Sequence, residues 1–284
     1  MGLVSMKVLL AKAQAGKYAV GAFNCNNMEI VQAIVAAAEA ERAPVIIQAS
    51  QGALKYAGLD FIAGLTRTAA KKATVPISLH LDHGTSFEQC VLCLQAGFNA
   101  VMIDGSKLPL AENIALTKKV VETMRPAGLT VESELGRIGG TEDDISVSER
   151  EAFFTDPDEA ERYYRETDVD ALAIAIGTAH GQYKGIPKLD FDRLKEIQKR
   201  VAAPLVLHGS SGVPDDALRQ AIELGVAKIN IDTNIREVFV GVLREKLKAN
   251  PKEIDPRKVL GPARDGMIEI VREKIRVFGS SGKA

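Results

Sequence analysis

The sequence predicts an α/β fold, a (β/α)8 TIM barrel with one extra helix at its C-terminal end. Three observations carry that reading. Eight short apolar runs rich in β-branched residues recur along the 284 residues, each followed by a longer amphipathic stretch. The repeat of roughly 30–35 residues is that of a barrel unit, and eight units fill the length such a barrel needs. An open doubly wound sheet would usually carry a glycine fingerprint after its first strand, whereas here that strand runs into Asn24-Cys-Asn-Asn27.

The strand signals fall at 18–23, 45–50, 77–82, 100–104, 129–135, 171–176, 205–208 and 226–231. Helical patterns lie between them at 28–42, 61–73, 87–95, 111–124, 157–166, 191–201 and 215–224, then at 234–248 and near 263–277. Ser86-Phe-Glu-Gln89 has the form of a capping box, and Val213-Pro-Asp215 opens its helix with proline. No Pro/Gly/Ser linker divides the pattern, so residues 1–284 are expected to form a single domain.

Composition narrows the function classes. Hydrophobic residues make up 46% and charged residues 26%, which excludes a disordered chain. Thirty-six basic side chains against 37 acidic ones give a net charge of −1, with no general pull towards nucleic acid or anionic membrane. Apolar stretches such as 171–177 are far too short to span a bilayer, and no secretory leader opens the sequence. Met6 stands where a myristoylation motif wants Ser or Thr. Three cysteines fit a reducing, cytoplasmic location better than a disulfide framework.

All four histidines fall at or just beyond strand C-terminal ends: His80 and His83 after the third strand, His180 after the sixth, His208 after the seventh. In a barrel those ends converge on one mouth, where active sites are built. His80 shares its strand side with Asp82 and reads as an inward-facing neighbour. His83, His180 and His208 are then the ligand set of a metal site. Three imidazoles with an open fourth position describe catalytic zinc, with iron, cobalt or manganese as alternatives. The Cys90-Val-Leu-Cys93 pair fits one apolar helix face and reads as core thiols.

Glycine-rich turns follow two of these histidines, in His180-Gly-Gln-Tyr-Lys-Gly185 and His208-Gly-Ser-Ser-Gly212. Glycine lets backbone N–H groups approach an anion, Ser211 adds a hydroxyl and Lys184 a point charge. Asn230 and Thr233 flank a new helix N-terminus, so a phosphate site is expected around the last strands. Among the acids, Asp82 adjoins His83 and Glu134 ends the fifth strand. The segment 139–148 is the largest irregular polar loop, and reads either as a solvated loop or as a mobile lid. Its run Glu142, Asp143, Asp144 reads either as a solvated acidic face or as a source of a catalytic carboxylate.

Taken together, the segments Phe23-Asn-Cys-Asn-Asn27, Leu79-His-Leu-Asp-His-Gly84, Glu132-Ser-Glu-Leu-Gly136, Gly139-Gly-Thr-Glu-Asp-Asp144, Gly177-Thr-Ala-His-Gly181, Leu207-His-Gly-Ser-Ser-Gly212, Ile229-Asn-Ile-Asp-Thr233 and Asp255-Pro-Arg257 resemble the class II, metal-dependent ketose-1,6-bisphosphate aldolases. The compact length is similar to the short bacterial branch, which holds fructose- and tagatose-bisphosphate aldolases. The resemblance implies zinc at His83, His180 and His208, with Glu134 as an alternative ligand. It implies a C1-phosphate site of Gly181, Lys184, Gly209, Ser211, Asp232 and Thr233, with Asn230 on the triose oxygens and Asn24 and Ser50 lining the site. A monovalent cation (Na+ or K+) near the backbone of 180–181 and 209 is implied as well. Arg257 would reach a neighbouring subunit's C6 phosphate, which implies a homodimer or homotetramer. Glu142 would remove the C1 proton of dihydroxyacetone phosphate, and Asp82 would exchange a proton with the aldehyde oxygen.

The implied activity is reversible cleavage of fructose 1,6-bisphosphate to dihydroxyacetone phosphate and glyceraldehyde 3-phosphate, in glycolysis and gluconeogenesis, with the tagatose bisphosphate as alternative. Three rivals are weaker. A Schiff-base aldolase would use Lys228, which reads better as a structural lysine paired to an acid. A metal-dependent hydrolase would want an early His-x-His pair, and none is present. A sugar-phosphate-binding subunit would have no use for the histidine trio together with Asp82 and Glu142.

Overall fold

The computed structural model describes residues 2–142, 145–147, 154–183 and 185–284. Strand alternation decides which way each side chain points. In β2 (Val45–Ser50), Val45, Ile47 and Ala49 pack outwards in the large core, while Ile46 packs with a separate inner set. The same alternation recurs around the ring in β1 (Val20–Asn24), β3 (Ile77–Gly84), β4 (Ala100–Ile103) and β5 (Thr130–Leu135). After β6 (Gly139–Glu142) and β7 (Ile145–Val147), it continues in β8 (Ala171–Ile174) and, past β9 (Ala179–His180), in β10 (Leu205–Leu207) and β11 (Val226–Ile231).

Eight of these strands close a parallel barrel in the order β1-β11-β10-β8-β5-β4-β3-β2. Closure is sealed by β1 against β11, with Val20 opposite Lys228 and Phe23 opposite Ile231. The predicted barrel is therefore present, and its eight strands match the sequence reading to within one or two residues at each end.

The outer layer is α2 (Met28–Glu41), α4 (Leu59–Lys72), α5 (Phe87–Ala96), α6 (Leu110–Met124), α7 (Pro157–Thr167), α8 (Phe191–Arg200), α9 (Asp215–Glu223), α10 (Thr233–Ala249) and α11 (Pro256–Val277), joined by α1 (Met6–Gly16) and α3 (Gln51–Ala57). None of the described helices is long and apolar enough to cross a membrane. Side-chain caps start several of them: Asn27 accepts from the Ile30 amide at 3.0 Å and Ser86 from the Gln89 amide at 3.1 Å. Only half of the expected box at 86–89 forms, because the Gln89 amide turns to Cys93 Sγ at 3.6 Å.

Four features depart from the sequence reading. First, α1 closes the barrel floor, its Met6, Leu9, Leu10 and Ala13 packing on Val20, Ile46, Ala100 and Ala171. Second, Ser50 ends β2 and caps α3 by accepting from the Ala53 amide at 3.2 Å. Third, α11 starts at Pro256, where Asp255 caps the Arg257 amide, so Pro262 lies inside the helix rather than before it. Fourth, the expected irregular loop at 139–148 contains a hairpin. There β6 pairs antiparallel with β7 and parallel with β9, placing Gly140 beside His180. Gly140 has φ +97°, and a Cβ there would overlap the His180 carbonyl oxygen. Glycine is what allows this close approach.

Two stability predictions follow from this packing. Leu10 is fully buried in the floor cluster. Leu10→Ala should lower unfolding free energy by about 2–5 kcal/mol in urea titrations; a loss under about 1 kcal/mol would mean the floor does not pack as described. Glu41 accepts from Arg276 at 2.6 Å, Arg272 at 3.0 Å and Ser281 at 3.0 Å. The Arg276 hydrogen bond, aided by Arg272 and Ser281, lowers its carboxyl from 4.5 to about 2. A depressed carboxylate stabilises the fold fully above the unfolded-state value and stops doing so as pH falls through the folded one. Glu41→Gln should therefore be less stable than wild type at pH 7, with the gap shrinking between pH 4.5 and about 2.

Candidate metal centre

Each candidate ligand is delivered by a different device at the C-terminal rim. In β3, His80 and Asp82 point inwards by alternation and both are fully buried. His83 should then point outwards, but its φ of +47° puts it in the left-handed region. A left-handed non-glycine residue costs about 1–2 kcal/mol. It swings the ring back over the mouth, where the β3–β4 register shifts between Leu81 and Gly84. His180 sits on β9, beside the hairpin, and His208 directly follows β10.

The three rings meet edge to face, with centroids 5.0 Å apart for His83–His180, 4.7 Å for His83–His208 and 6.0 Å for His180–His208. One ring nitrogen from each lies within 4.8 Å of the others. His208 Nδ1 is 2.9 Å from His83 Nε2. That convergence fits imidazoles sharing one cation, since ligands at 2.0–2.1 Å stand roughly 3 Å or more apart. The local field agrees. Burial would push the His83 imidazole down, but the Asp82 charge and the Asp104 hydrogen bond outweigh it and hold it well above its ordinary value. A pocket that favours positive charge this strongly suits a divalent metal.

Carboxylates surround the trio. Asp82 Oδ1 lies 4.0 Å from both His83 Nε2 and His208 Nδ1. Its Oδ2 accepts from Asn24 Nδ2 at 2.8 Å and Gln48 Nε2 at 3.0 Å. Asp104 Oδ2 lies 3.0 Å from His83 Nδ1. Burial and the Asp104 charge push Glu134 well above the usual carboxylate range. Glu134 groups with His83 and Asp104 as a second set of donors, rather than with the full histidine trio. His80 is kept neutral by burial and by the Lys228 charge. Burial also pushes the thiols up, Cys25 and Cys90 to about 12 and Cys93 to about 11, which fits core residues rather than nucleophiles.

Beside the trio lies a cavity of about 270 Å³. Of the residues singled out in the sequence, Asn24, His180, Gly181, Gly209, Ser211, Asn230, Asp232 and Thr233 line it. Ser211 Oγ accepts from the Asp232 and Asn234 amides at 3.3 Å each, tying the glycine turn to the start of α10. Tyr183 accepts from the Ala179 amide and donates to the Gly209 carbonyl, both at 2.7 Å, which fixes the two turns together.

Other expected residues stand apart. Ser50 is buried at the β2 end opposite Asp82 in register, outside the cavity lining. Arg257 is 89% exposed at the start of α11 and paired to Asp255 at 2.8 Å. Lys184, Asp143 and Asp144 lie outside the described residues, and Glu142 is described only as part of the β6 backbone. The sequence reading passed over Arg236, which lines the cavity with its Nε 2.7 Å from Asp232 Oδ1. Its place one turn after Thr233 was the available signal. Asp104 was also overlooked as a donor, although it directly follows β4 at the same rim.

Comparison with known proteins agrees with this geometry. Residues 4–283 match the family model described as fructose-bisphosphate aldolase class-II. A fructose-bisphosphate aldolase of Geobacillus stearothermophilus is 47% identical, covering 100% of this chain and 99% of that protein. One from Thermus caldophilus is 46% identical, covering 99% and 100%. Among solved structures, the YdjI aldolase of Escherichia coli K12 superposes with a TM-score of 0.87 at 34% identity, over 99% of each chain. The chain belongs to the class II fructose-bisphosphate aldolase family.

Proposed function

We propose that the chain catalyses reversible aldol cleavage of fructose 1,6-bisphosphate to dihydroxyacetone phosphate and glyceraldehyde 3-phosphate, with zinc held by His83, His180 and His208. One observation carries the reading: Asp82 stands 4.0 Å from two ring nitrogens of the trio, beside a cavity lined by glycine turns and hydroxyls. Bound there, a divalent cation supplies Lewis-acid polarisation of the ketose carbonyl. The glycine turns, Ser211 and the first turn of α10 bind the C1 phosphate, with Lys184 and Arg236 supplying positive charge.

In cleavage, Asp82 accepts the C4 hydroxyl proton as the C3–C4 bond breaks and the aldehyde departs. Asn24 and Gln48 hold its other oxygen, so the carboxylate keeps one face for substrate. Glu142, carried on the hairpin, returns a proton to the carbon left electron-rich, and closure of the hairpin excludes water. Condensation runs the same transfers in reverse. Glu134 serves as an alternative ligand, Asn230 holds the triose oxygens, and Ser50 supports the site beside Asp82. A monovalent cation near Gly181 and Gly209 belongs to the same reading. Arg257, exposed on α11, reaches the C6 phosphate of a neighbouring copy in a homodimer or homotetramer. The three unpaired cysteines favour a cytoplasmic setting.

Fructose is favoured over tagatose because the two relatives matched over nearly their full length carry the fructose name. A Schiff base at Lys228 is disfavoured, since its Nζ is fully buried 2.8 Å from Glu132 Oε2. Purified enzyme should lose cleavage on chelation and regain it with zinc. Asp82→Asn should lower kcat about 10²–10⁴-fold while metal content stays at the wild-type level. Cleavage that survives metal removal, with a borohydride adduct on Lys228, would sink the zinc reading; near-normal cleavage by Asp82→Asn would remove Asp82 from its role.

A further inference from the structure

Below the histidine trio, the barrel interior holds a fully buried ion pair. Glu132 on β5 and Lys228 on β11 face each other across the ring, with Nζ 2.8 Å from Oε2 and 3.1 Å from Oε1. Neither strand neighbours the other in the barrel, so only inward-pointing side chains bring them together. Taking two charges out of water is expensive, and well-packed apolar replacements of such pairs are often neutral or stabilising. Stability alone gives a weak reason to keep this one.

Its other contacts supply a better one. Glu132 Oε1 lies 2.8 Å from His208 Nε2, while the opposite nitrogen, Nδ1, faces His83 Nε2 at 2.9 Å. A carboxylate can only accept, so Nε2 carries the proton and Nδ1 presents its lone pair to the trio. Metal-binding histidines are commonly fixed in this way, by donating their second N–H to a carboxylate. Lys228 completes the clamp. It also donates to Asn230 Oδ1 at 2.8 Å, which turns Asn230 Nδ2 towards His208 Nδ1 at 3.1 Å, again as an acceptor, and towards Asp82 Oδ1 at 3.4 Å. His80 Nε2 stays 3.6 Å from Glu132 Oε2, so it packs against the carboxylate without competing for the hydrogen bond to His208.

We propose that Glu132, clamped by Lys228, is the positioning residue that sets His208 as an Nδ1 metal ligand. The buried pair is kept for metal retention. This rests on the reading that the trio holds a divalent cation.

The test is Co2+ binding to metal-free protein, followed by visible absorption and by competition with a chromophoric chelator. Two double variants remove the charges without orphaning either partner. Glu132→Leu/Lys228→Met also deletes the acceptor, whereas Glu132→Gln/Lys228→Met keeps a neutral one. With the melting temperature unchanged or raised, the Gln variant should bind Co2+ about tenfold more weakly and the Leu variant up to about 100-fold more weakly. The Co2+ band of the Leu variant should also shift. His208→Ala marks the loss of the ligand itself. Wild-type affinity and band in both double variants would overturn the proposal, as would wild-type affinity in the Gln variant should the Leu variant not fold. If His208→Ala binds Co2+ as wild type does, the metal reading fails and this inference fails with it.

Discussion

The constraint on which the rest of this molecule depends is the closure of eight parallel strands into a ring. Closure sends every second side chain into a space too narrow for eight large residues per level. The chain meets it with alanines, at Ala22, Ala100, Ala171, Ala173 and Ala227. The room they leave is filled by Gln48, His80, Glu132 and Lys228, all fully buried. Apolar packing therefore holds the floor of the barrel and a polar network holds its upper half. The candidate site is thus held from inside the core rather than from the loops above it.

That division explains how chemistry and stability share one fold. The outer core between strands and helices is mainly aliphatic. Inside, the groups nearest the trio are held by other polar side chains. Asn24 and Gln48 hold Asp82, Glu132 holds His208, and Asp104 holds His83. Among the described non-glycine residues near the trio, His83 takes a left-handed backbone, and that turn lets two consecutive residues, Asp82 and His83, serve the same point.

Much of this was legible in the sequence. The strands read clearly because buried parallel strands are continuous runs of Val, Ile, Leu and Ala, whatever lies beyond them. Three histidines read clearly because His83, His180 and His208 lie at or beyond strand ends, whereas His80, expected there too, lies in the middle of β3. The pairing of β6 with β7 was obscured: Gly140 and its neighbours look like loop residues, and only the nearness of the His180 backbone makes glycine the residue that lets a strand form there. The α1 floor was missed because it stands outside the alternation of strand and helix. Glu132 was legible only as part of a motif. Its partners His208 and Lys228 lie on strands far away in sequence, and their meeting depends on barrel register, which spacing along one chain does not encode. Asp104 was hidden for the same reason, whereas Arg236, paired with Asp232 on its own helix, was marked by its place one turn after Thr233.

The pairing of β1 with β11 also orders events in time. Val20 has no partner on that side until Lys228 has been synthesised, and the ring has two open edges until then. An unpaired parallel edge is a template for wrong partners, and contacts so distant in sequence form slowly. Asp82 and His83 belong to the first half of the ring, whereas His180, His208 and Lys228 arrive with the second. A nascent chain lacking the last strand thus has neither a closed core nor the Lys228 and Asn230 side chains that hold the groups around the histidine trio. Assembly of the barrel and assembly of its chemistry are the same late step.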